Sequence, residues 1–239
     1  MQINFSKRSD QKELLDQPEI NTAQLYLNLK ELSFINTYLG GHHTTFEGIN
    51  FLLKNKCRNE KITIAEIGCG GSDHLFFLHQ KLKKRFSKLH FIGIDLNQDC
   101  INFSTSNRPS DMSAELVCRP YQEHFFSEND KPDILFSSLF CHHFSNEELK
   151  KQLHWMRENS KLGFVINDLH RHWFAYYSIK FLTFFFSKSE LVKNDAPLSV
   201  LRGFKKKEWE NIFNAAKIIR PYIQWKWAFR HLIISQNPT

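Results

Sequence analysis

The sequence predicts an α/β fold: a doubly wound, mostly parallel seven-stranded sheet with an antiparallel C-terminal hairpin, a helical N-terminal lid and a helical insertion. Three observations carry that expectation. From residue 62 onward, short β-branched runs alternate with helical patterns. The first run, Ile62 to Ile67, carries Glu66 near its end and leads into the glycine-rich turn Gly68-Cys69-Gly70-Gly71. The last two runs are joined by too few residues for a crossover, so they must pair antiparallel.

Residues 1–57 form the expected lid. Leu25, Leu29, Leu32, Ile35 and Leu39 recur at spacings of three and four, which reads as a helix. Gly40-Gly41 breaks it, and Phe46 to Leu53 resumes an apolar helical pattern. Residues 58–239 form the main domain. Its strand-like runs lie at 62–67, 90–95, 114–118, 133–138, 162–167, 216–225 and 227–235. Helical stretches are expected at 73–86, 97–106, 145–158 and 205–215, whereas residues 169–204 break the alternation and read as an insertion.

Composition fits a soluble globular chain: of 239 residues, 41% are hydrophobic and 24% charged. The five cysteines (Cys57, Cys69, Cys100, Cys118 and Cys141) are scattered and form no CxxC pair. Neither a disulfide framework nor a thiolate zinc site is expected, and a reducing, cytoplasmic setting is. The first residues lack the unbroken apolar core of a signal peptide. No run reaches the roughly 18 apolar residues of a membrane span. The nearest, Trp173 to Phe186, is 14 residues long and holds Lys180. It reads as a buried helix or lid, with a membrane-surface helix as the alternative. Net charge is +7 and the isoelectric point about 9.1. The basic clusters, Lys81-Lys83-Lys84-Arg85 and Lys205-Lys206-Lys207, fall on expected helix surfaces. They read as solvated faces, and no nucleic-acid partner is expected.

The glycine turn is the strongest chemical signal. Glycines let the chain turn sharply and let a ligand approach the backbone. The next helix offers free N–H groups at its start. A second run, His90 to Asp95, also ends in a carboxylate. A dinucleotide fingerprint needs G-x-G-x-x-G; Gly68 and Gly70 fit its first two positions, but the third falls on Asp73. A pyrophosphate would sit poorly beside Glu66 and Asp73, whereas a ligand with a positive centre would tolerate them.

Glu66-Ile67-Gly68-Cys69-Gly70-Gly71 resembles the E/D-x-G-x-G-x motif of class I S-adenosylmethionine-dependent methyltransferases. Gly93-Ile94-Asp95 resembles their second motif and Pro132 to Ser138 their fourth-strand motif. The terminal hairpin matches that Rossmann-like fold as well. The resemblance covers roughly residues 60–168 and 205–235. It implies S-adenosyl-L-methionine as cofactor, with Glu66, Gly68, Cys69 and Gly70 beside its methionine part. It places Asp95 on the ribose, Leu96 beside the adenine, Tyr121 and Gln122 at the adenine edge, and Ser138 at the fourth strand's tip. The family often carries an acidic residue after the third strand, where Arg119 and Gln122 stand here. A nucleic-acid amino-methylase would carry Asn/Asp-Pro-Pro-aromatic where this chain has Ser137-Ser138-Leu139-Phe140.

Cys141-His142-His143-Phe144-Ser145-Asn146-Glu147-Glu148 follows the fourth run, with Ser145 and Glu148 spaced as a capping box. The segment is similar to the C-H-D-W-S-x-E element of small-molecule O-methyltransferases, whose histidine is the general base. His142 falls on that position and His143 on the aspartate. Quinone-methylase-like enzymes carry a comparable Leu-His-His element, so a structural role for His142 stays open. An unperturbed histidine titrates near pH 6.5, which suits a base at neutral pH. Asp168, His170 and Arg171 at the fifth run's tip are candidates for positioning a substrate, with His42 or His43 in the lid. No compact metal-ligand spacing is present, and no metal is expected.

The expected reaction is O-methylation of an apolar hydroxylated small molecule: a phenol, quinol or polyketide-like acceptor of secondary metabolism. C- or N-methylation, a lipid or protein acceptor with peripheral membrane contact, and a non-catalytic adenosylmethionine-binding module are the alternatives. Oligomeric state is not readable from the sequence.

Overall fold

The computed structural model describes residues 3–17 and 20–238. Seven strands form one sheet in the order β3-β2-β1-β4-β5-β7-β6. They are β1 (Lys61–Ile67), β2 (Lys88–Asp95), β3 (Ala114–Cys118), β4 (Ile134–Ser138), β5 (Gly163–Leu169), β6 (Tyr222–Lys226) and β7 (Arg230–Gln236). The first five run parallel to one another, and β7 runs antiparallel to both β5 and β6. The fold class expected from sequence is the one observed. β1 lies between β2 and β4, so strand order reverses there and a crevice opens at the strands' carboxyl ends.

The helices are α1 (Thr22–Tyr38), α2 (Gly41–Leu52), α3 (Asp73–Leu82), α4 (Gln98–Asn107), α5 (Asn146–Glu158), α6 (Trp173–Phe186), α7 (Glu190–Arg202) and α8 (Lys206–Ala215). β1 carries β-branched residues on both faces because helices cover both. On one side Ala65 and Ile67 pack with Leu149 and Met156 of α5 and Trp209 and Phe213 of α8. On the other, Ile62 and Ile64 pack with Ile49 of α2 and Leu75 and Leu78 of α3. α2 lies directly on the sheet: a Cβ added to Gly48 would come 2.6 Å from Val165 Cγ1.

Three segments depart from the expected elements. Residues 3–17 are mostly irregular instead of helical, with a single 3-10 turn at Leu14–Asp16. Their backbone is satisfied elsewhere: the N–H groups of Leu14 and Leu15 donate to Asp195 at 2.8 and 2.9 Å. The strand expected over 216–225 starts only at Tyr222, because Lys217 and Arg220 adopt φ of 52° and 57° and turn the chain. The aromatic helix α6 is not a buried helix: only Ala175, Tyr176 and Thr183 are buried. No helix among the described residues is long and apolar enough to cross a membrane.

Candidate active site

The glycine turn sits at the switch point. Gly68 takes φ +67°, and the N–H groups of Gly68 and Cys69 donate to the Ile94 carbonyl at 2.8 and 3.1 Å. Asp95 braces the same turn. Its Oδ2 accepts from Gly70 N at 2.8 Å and its Oδ1 from Asn97 N at 2.9 Å. Each oxygen keeps a second lone pair, and Asp95 is half-buried at the crevice. Burial, opposed by these hydrogen bonds, lifts its pKa above the usual carboxylate value.

Glu66 is 2% exposed, and its Oε2 has no hydrogen-bond partner among the described residues. Burial, followed by the charges of Asp73 and Asp95, pushes its pKa well above the ordinary value. Asp73 is held the opposite way. Burial raises its pKa, but His74, His42 and Asn36 outweigh that and keep it ionised. His42 Nε2 lies 2.7 Å from Asp73 Oδ2, and Asn36 Nδ2 donates to it at 3.1 Å. α1 and α2 are thereby pinned to the glycine turn.

A second group forms after β4. Leu139 takes φ 52°, a left-handed conformation uncommon for leucine, and a 3-10 turn then presents Cys141–His143. His142 is buried between two carboxylates. Its Nδ1 meets Asp168 Oδ1 at 2.8 Å and its Nε2 meets Glu13 Oε1 at 3.4 Å. Burial lowers its pKa, but Asp168 and then Glu13 outweigh this and hold it at about 9. The ring is therefore cationic at neutral pH, and the expectation of a histidine free to titrate near 6.5 does not describe it. His143 Nδ1 meets Asp16 Oδ1 at 3.1 Å, and its Nε2 lies 3.7 Å from Glu13 Oε2. Arg202 and Arg8 clamp the turn from behind by donating to the His142 carbonyl at 3.2 and 2.9 Å.

His142, His143 and Glu13 line one end of a cavity of about 310 Å³. Leu32 and Ile35 of α1 with Leu39 just after it, Phe174 and Leu182 of α6, and Trp225 and Trp227 of the terminal hairpin form its apolar walls.

The sequence matches no family model, and no curated protein matches it. Solved structures match throughout its length. The plantazolicin methyltransferase BpumL, in complex with S-adenosylhomocysteine, aligns with TM-score 0.66 and 14% identity, covering 91% of this chain and 96% of that one. A SAM-dependent methyltransferase from Aquifex aeolicus gives TM-score 0.60 at 16% identity, covering 92% and 100%. Magnesium protoporphyrin IX methyltransferase (ChlM) from Synechocystis PCC 6803, with bound S-adenosylhomocysteine, gives 0.54 at 10%, covering 93% and 90%. The chain has the fold of the class I S-adenosylmethionine-dependent methyltransferases.

Within that methyltransferase fold, the residues singled out from sequence divide into three sets. Glu66, Gly68, Gly70 and Asp95 meet at the glycine turn, and Leu96 is 68% exposed just beyond it. Cys69 contributes backbone alone, since its thiol is buried against Gly93. Tyr121 packs its ring on Trp155, 5.0 Å between centroids, and Gln122 is exposed. Ser138 Oγ accepts from Asn167 Nδ2 at 3.2 Å. The second set, His142, His143 and Asp168, meets at the cavity end. The third lies elsewhere. Arg171 is 1% exposed and donates to the Gly203 and Phe5 carbonyls and to Glu208, so it fastens the N-terminal segment and α8 rather than a substrate. His170 packs beside His231 and Phe229 behind the cavity wall; burial, then the charges of His231 and His172, lowers its pKa to about 4. His43 is exposed beside Phe77, while its neighbour His42 points inward.

Sequence reading missed Glu13, Asn36 and Asp195. Glu13 and Asp195 stand in segments with no periodic signal and meet the site only through tertiary folding. Folding also brings potential ligand atoms of Glu13, His142 and His143, and of His42, Asp73 and His74, within 4.8 Å of one another, a clustering that spacing in sequence did not show. The contacts above join Glu13 to both His142 and His143, and His42 to Asp73.

Proposed function

We propose that the chain is an S-adenosylmethionine-dependent methyltransferase that methylates a hydroxyl group of an apolar small molecule held in the cavity beside His142. One observation carries the cofactor: a buried Glu66 oxygen without a partner, beside Asp73 and Asp95, on a glycine turn of this fold. Such a site favours a cation over a phosphate. Glu66 would meet the cofactor's positive end and Asp95 its ribose hydroxyls, with the backbone at Gly68 and Gly70 alongside. When bound, the cofactor supplies an electrophilic methyl group on a sulfonium.

The chain's own residues do the rest. The apolar cavity walls exclude water and hold the acceptor in place, which supplies much of a displacement's rate. Asp168 fixes the His142 ring through Nδ1 and keeps Nε2 turned to the cavity. A hydroxyl entering between Nε2 and Glu13 meets one cationic imidazole and one carboxylate. Glu13 takes the hydroxyl proton, and the His142 cation stabilises the oxygen's growing negative charge. His142 thus serves as electrostatic partner more than as free base. The two exposed free thiols, Cys57 and Cys118, suit a reducing compartment such as the cytoplasm.

Glu13 also supports a second reading, since a carboxylate at the cavity end would pair with an amine and direct methylation to nitrogen. Calorimetry with S-adenosylmethionine, followed by mass spectrometry of matched phenol and amine panels, tests both. Absence of cofactor binding overturns the proposal, and methylated amines without methylated phenols select the second reading.

A further inference from the structure

α6 is apolar on its outer face as well as its inner one. Trp173, Tyr177, Phe181 and Phe184 recur at spacings of four, four and three, so they form one stripe along the helix. All four are exposed, Phe184 to 69%, and Phe186 at the helix end reaches 78%. A patch of this kind on a soluble chain marks a contact surface.

The same helix forms a wall of the cavity through Phe174, Ser178, Ile179 and Leu182. Phe174 and Leu182 are also exposed, as are Trp225 and Trp227, which line the cavity with them. Apolar surface therefore runs from beside His142 out to the stripe. Charge selects the occupant. No Asp or Glu lies between Asp168 and Glu190, whereas Lys180 on the helix and Lys188 just after it are exposed. The whole chain carries +7. Aromatic rings flanked by lysines, with one carboxylate, Glu31, tied to Ser187 Oγ and Lys188 N at the helix end, complement an anionic bilayer. Its acyl boundary takes the rings and its headgroups the ammonium groups. With 14 residues against the roughly 20 needed to span, α6 is suited to lying in the interface.

We propose that α6 docks this protein on an anionic lipid bilayer, and that its acceptor is a bilayer-resident amphiphile. The hydroxyl head would sit at Glu13 and His142, with the apolar chain along α1 and α6. The acceptor class rests on the methyltransferase reading; the docking does not.

Flotation with vesicles of phosphatidylcholine and phosphatidylglycerol tests the docking without cofactor or turnover. The protein is expected to float with anionic vesicles at low salt, and less so with phosphatidylcholine alone. The triple variant F181S/F184S/F186S, which removes exposed rings outside the cavity, is expected to bind at least tenfold more weakly at unchanged Tm. No flotation of the unaltered protein overturns the docking. So does a dimer in light scattering that the triple variant converts to monomer without any change in flotation. With S-adenosylmethionine present, methylation of 4-dodecylphenol is expected to rise at least tenfold when it is supplied in anionic vesicles. Equal rates with and without vesicles overturn the acceptor class. No methylation under either condition, with flotation and S-adenosylmethionine binding intact, overturns the acceptor class; absence of S-adenosylmethionine binding in calorimetry overturns the methyltransferase reading instead, and either result leaves the docking standing.

Discussion

The carboxylate of Glu13 lies 3.4 Å from His142 Nε2, at the end of a cavity roofed by α1. The contact ties an irregular N-terminal segment to the turn after β4. Burial alone would raise the Glu13 pKa, but the hydrogen bond and charge of His142 reverse that and hold it ionised. Exchanging Glu13 for glutamine removes the negative charge and keeps the shape. The His142 pKa is expected to fall by about one unit or more from its value of about 9. Imidazole proton NMR across pH 5–10 reads this directly. A titration unchanged by Glu13→Gln would sever the two residues electrostatically, and with them the proton route proposed for the acceptor.

The same histidine links stability to alkaline pH. Its folded pKa of about 9 exceeds the unfolded value of about 6.5. Its contribution is fully present below pH 6.5 and is lost as pH rises through 9, amounting to up to about 3 kcal/mol. Urea unfolding of the unaltered protein should show this decline between pH 6.5 and 9.5. His142→Gln should be less stable at pH 6.5 and lack that part of the slope. Parallel pH profiles for the two proteins would contradict it.

The strands and the carboxylates at their tips were legible in the sequence because they are local. β-branched runs, a glycine turn and a strand-end aspartate each carry their own signature, so Glu66, Gly70 and Asp95 could be found without coordinates. Ser145 and Glu148 form the capping box that their spacing predicts. What closes the site is not local. Glu13 reaches His142, and His42 reaches Asp73, only after α1 and α2 fold over the sheet. Arg171 misled because its strand-tip position suited a ligand, while its guanidinium serves backbone carbonyls instead. The solvent face of α6 was hidden for a related reason: an all-apolar run reads the same whether it faces protein or water.

The cofactor role proposed for Glu66 would trade stability for binding. The folded pKa of Glu66 is raised, so its contribution is greatest below the unfolded value of about 4.3 and is lost as pH rises. At neutral pH the ligand-free protein therefore bears the cost of a buried carboxylate. Glu66→Gln should raise the ligand-free Tm, by about 2–4 °C for each kcal/mol relieved. It should also weaken S-adenosylmethionine about tenfold while leaving S-adenosylhomocysteine, which lacks the sulfonium charge, nearly unaffected. Calorimetry showing equal losses for both ligands would deny Glu66 its pairing with the positive centre.

Asp95 braces the turn and is proposed to hold the ribose as well, so its replacement needs two variants. Asp95→Asn keeps one acceptor for Gly70 N or Asn97 N, whereas Asp95→Ala keeps neither. Cofactor affinity should fall at least tenfold in the alanine variant and less in the asparagine variant. Unchanged affinity in Asp95→Ala at unchanged Tm would remove the ribose role.

Gly68 supports the last prediction, because two separable costs meet at its Cα. A Cβ there would lie 2.2 Å from the Phe140 ring, and φ of +67° disfavours any L side chain. The left-handed conformation costs about 1–2 kcal/mol whatever its neighbours, and the overlap adds about 1–3 kcal/mol. Gly68→Ala should therefore lower stability by about 2–5 kcal/mol. In a Phe140→Ala background the ring is gone and only the backbone part should remain. Urea unfolding of the four proteins gives the coupling energy, expected at about 1–3 kcal/mol. Strict additivity would mean that Phe140 does not rest on the turn.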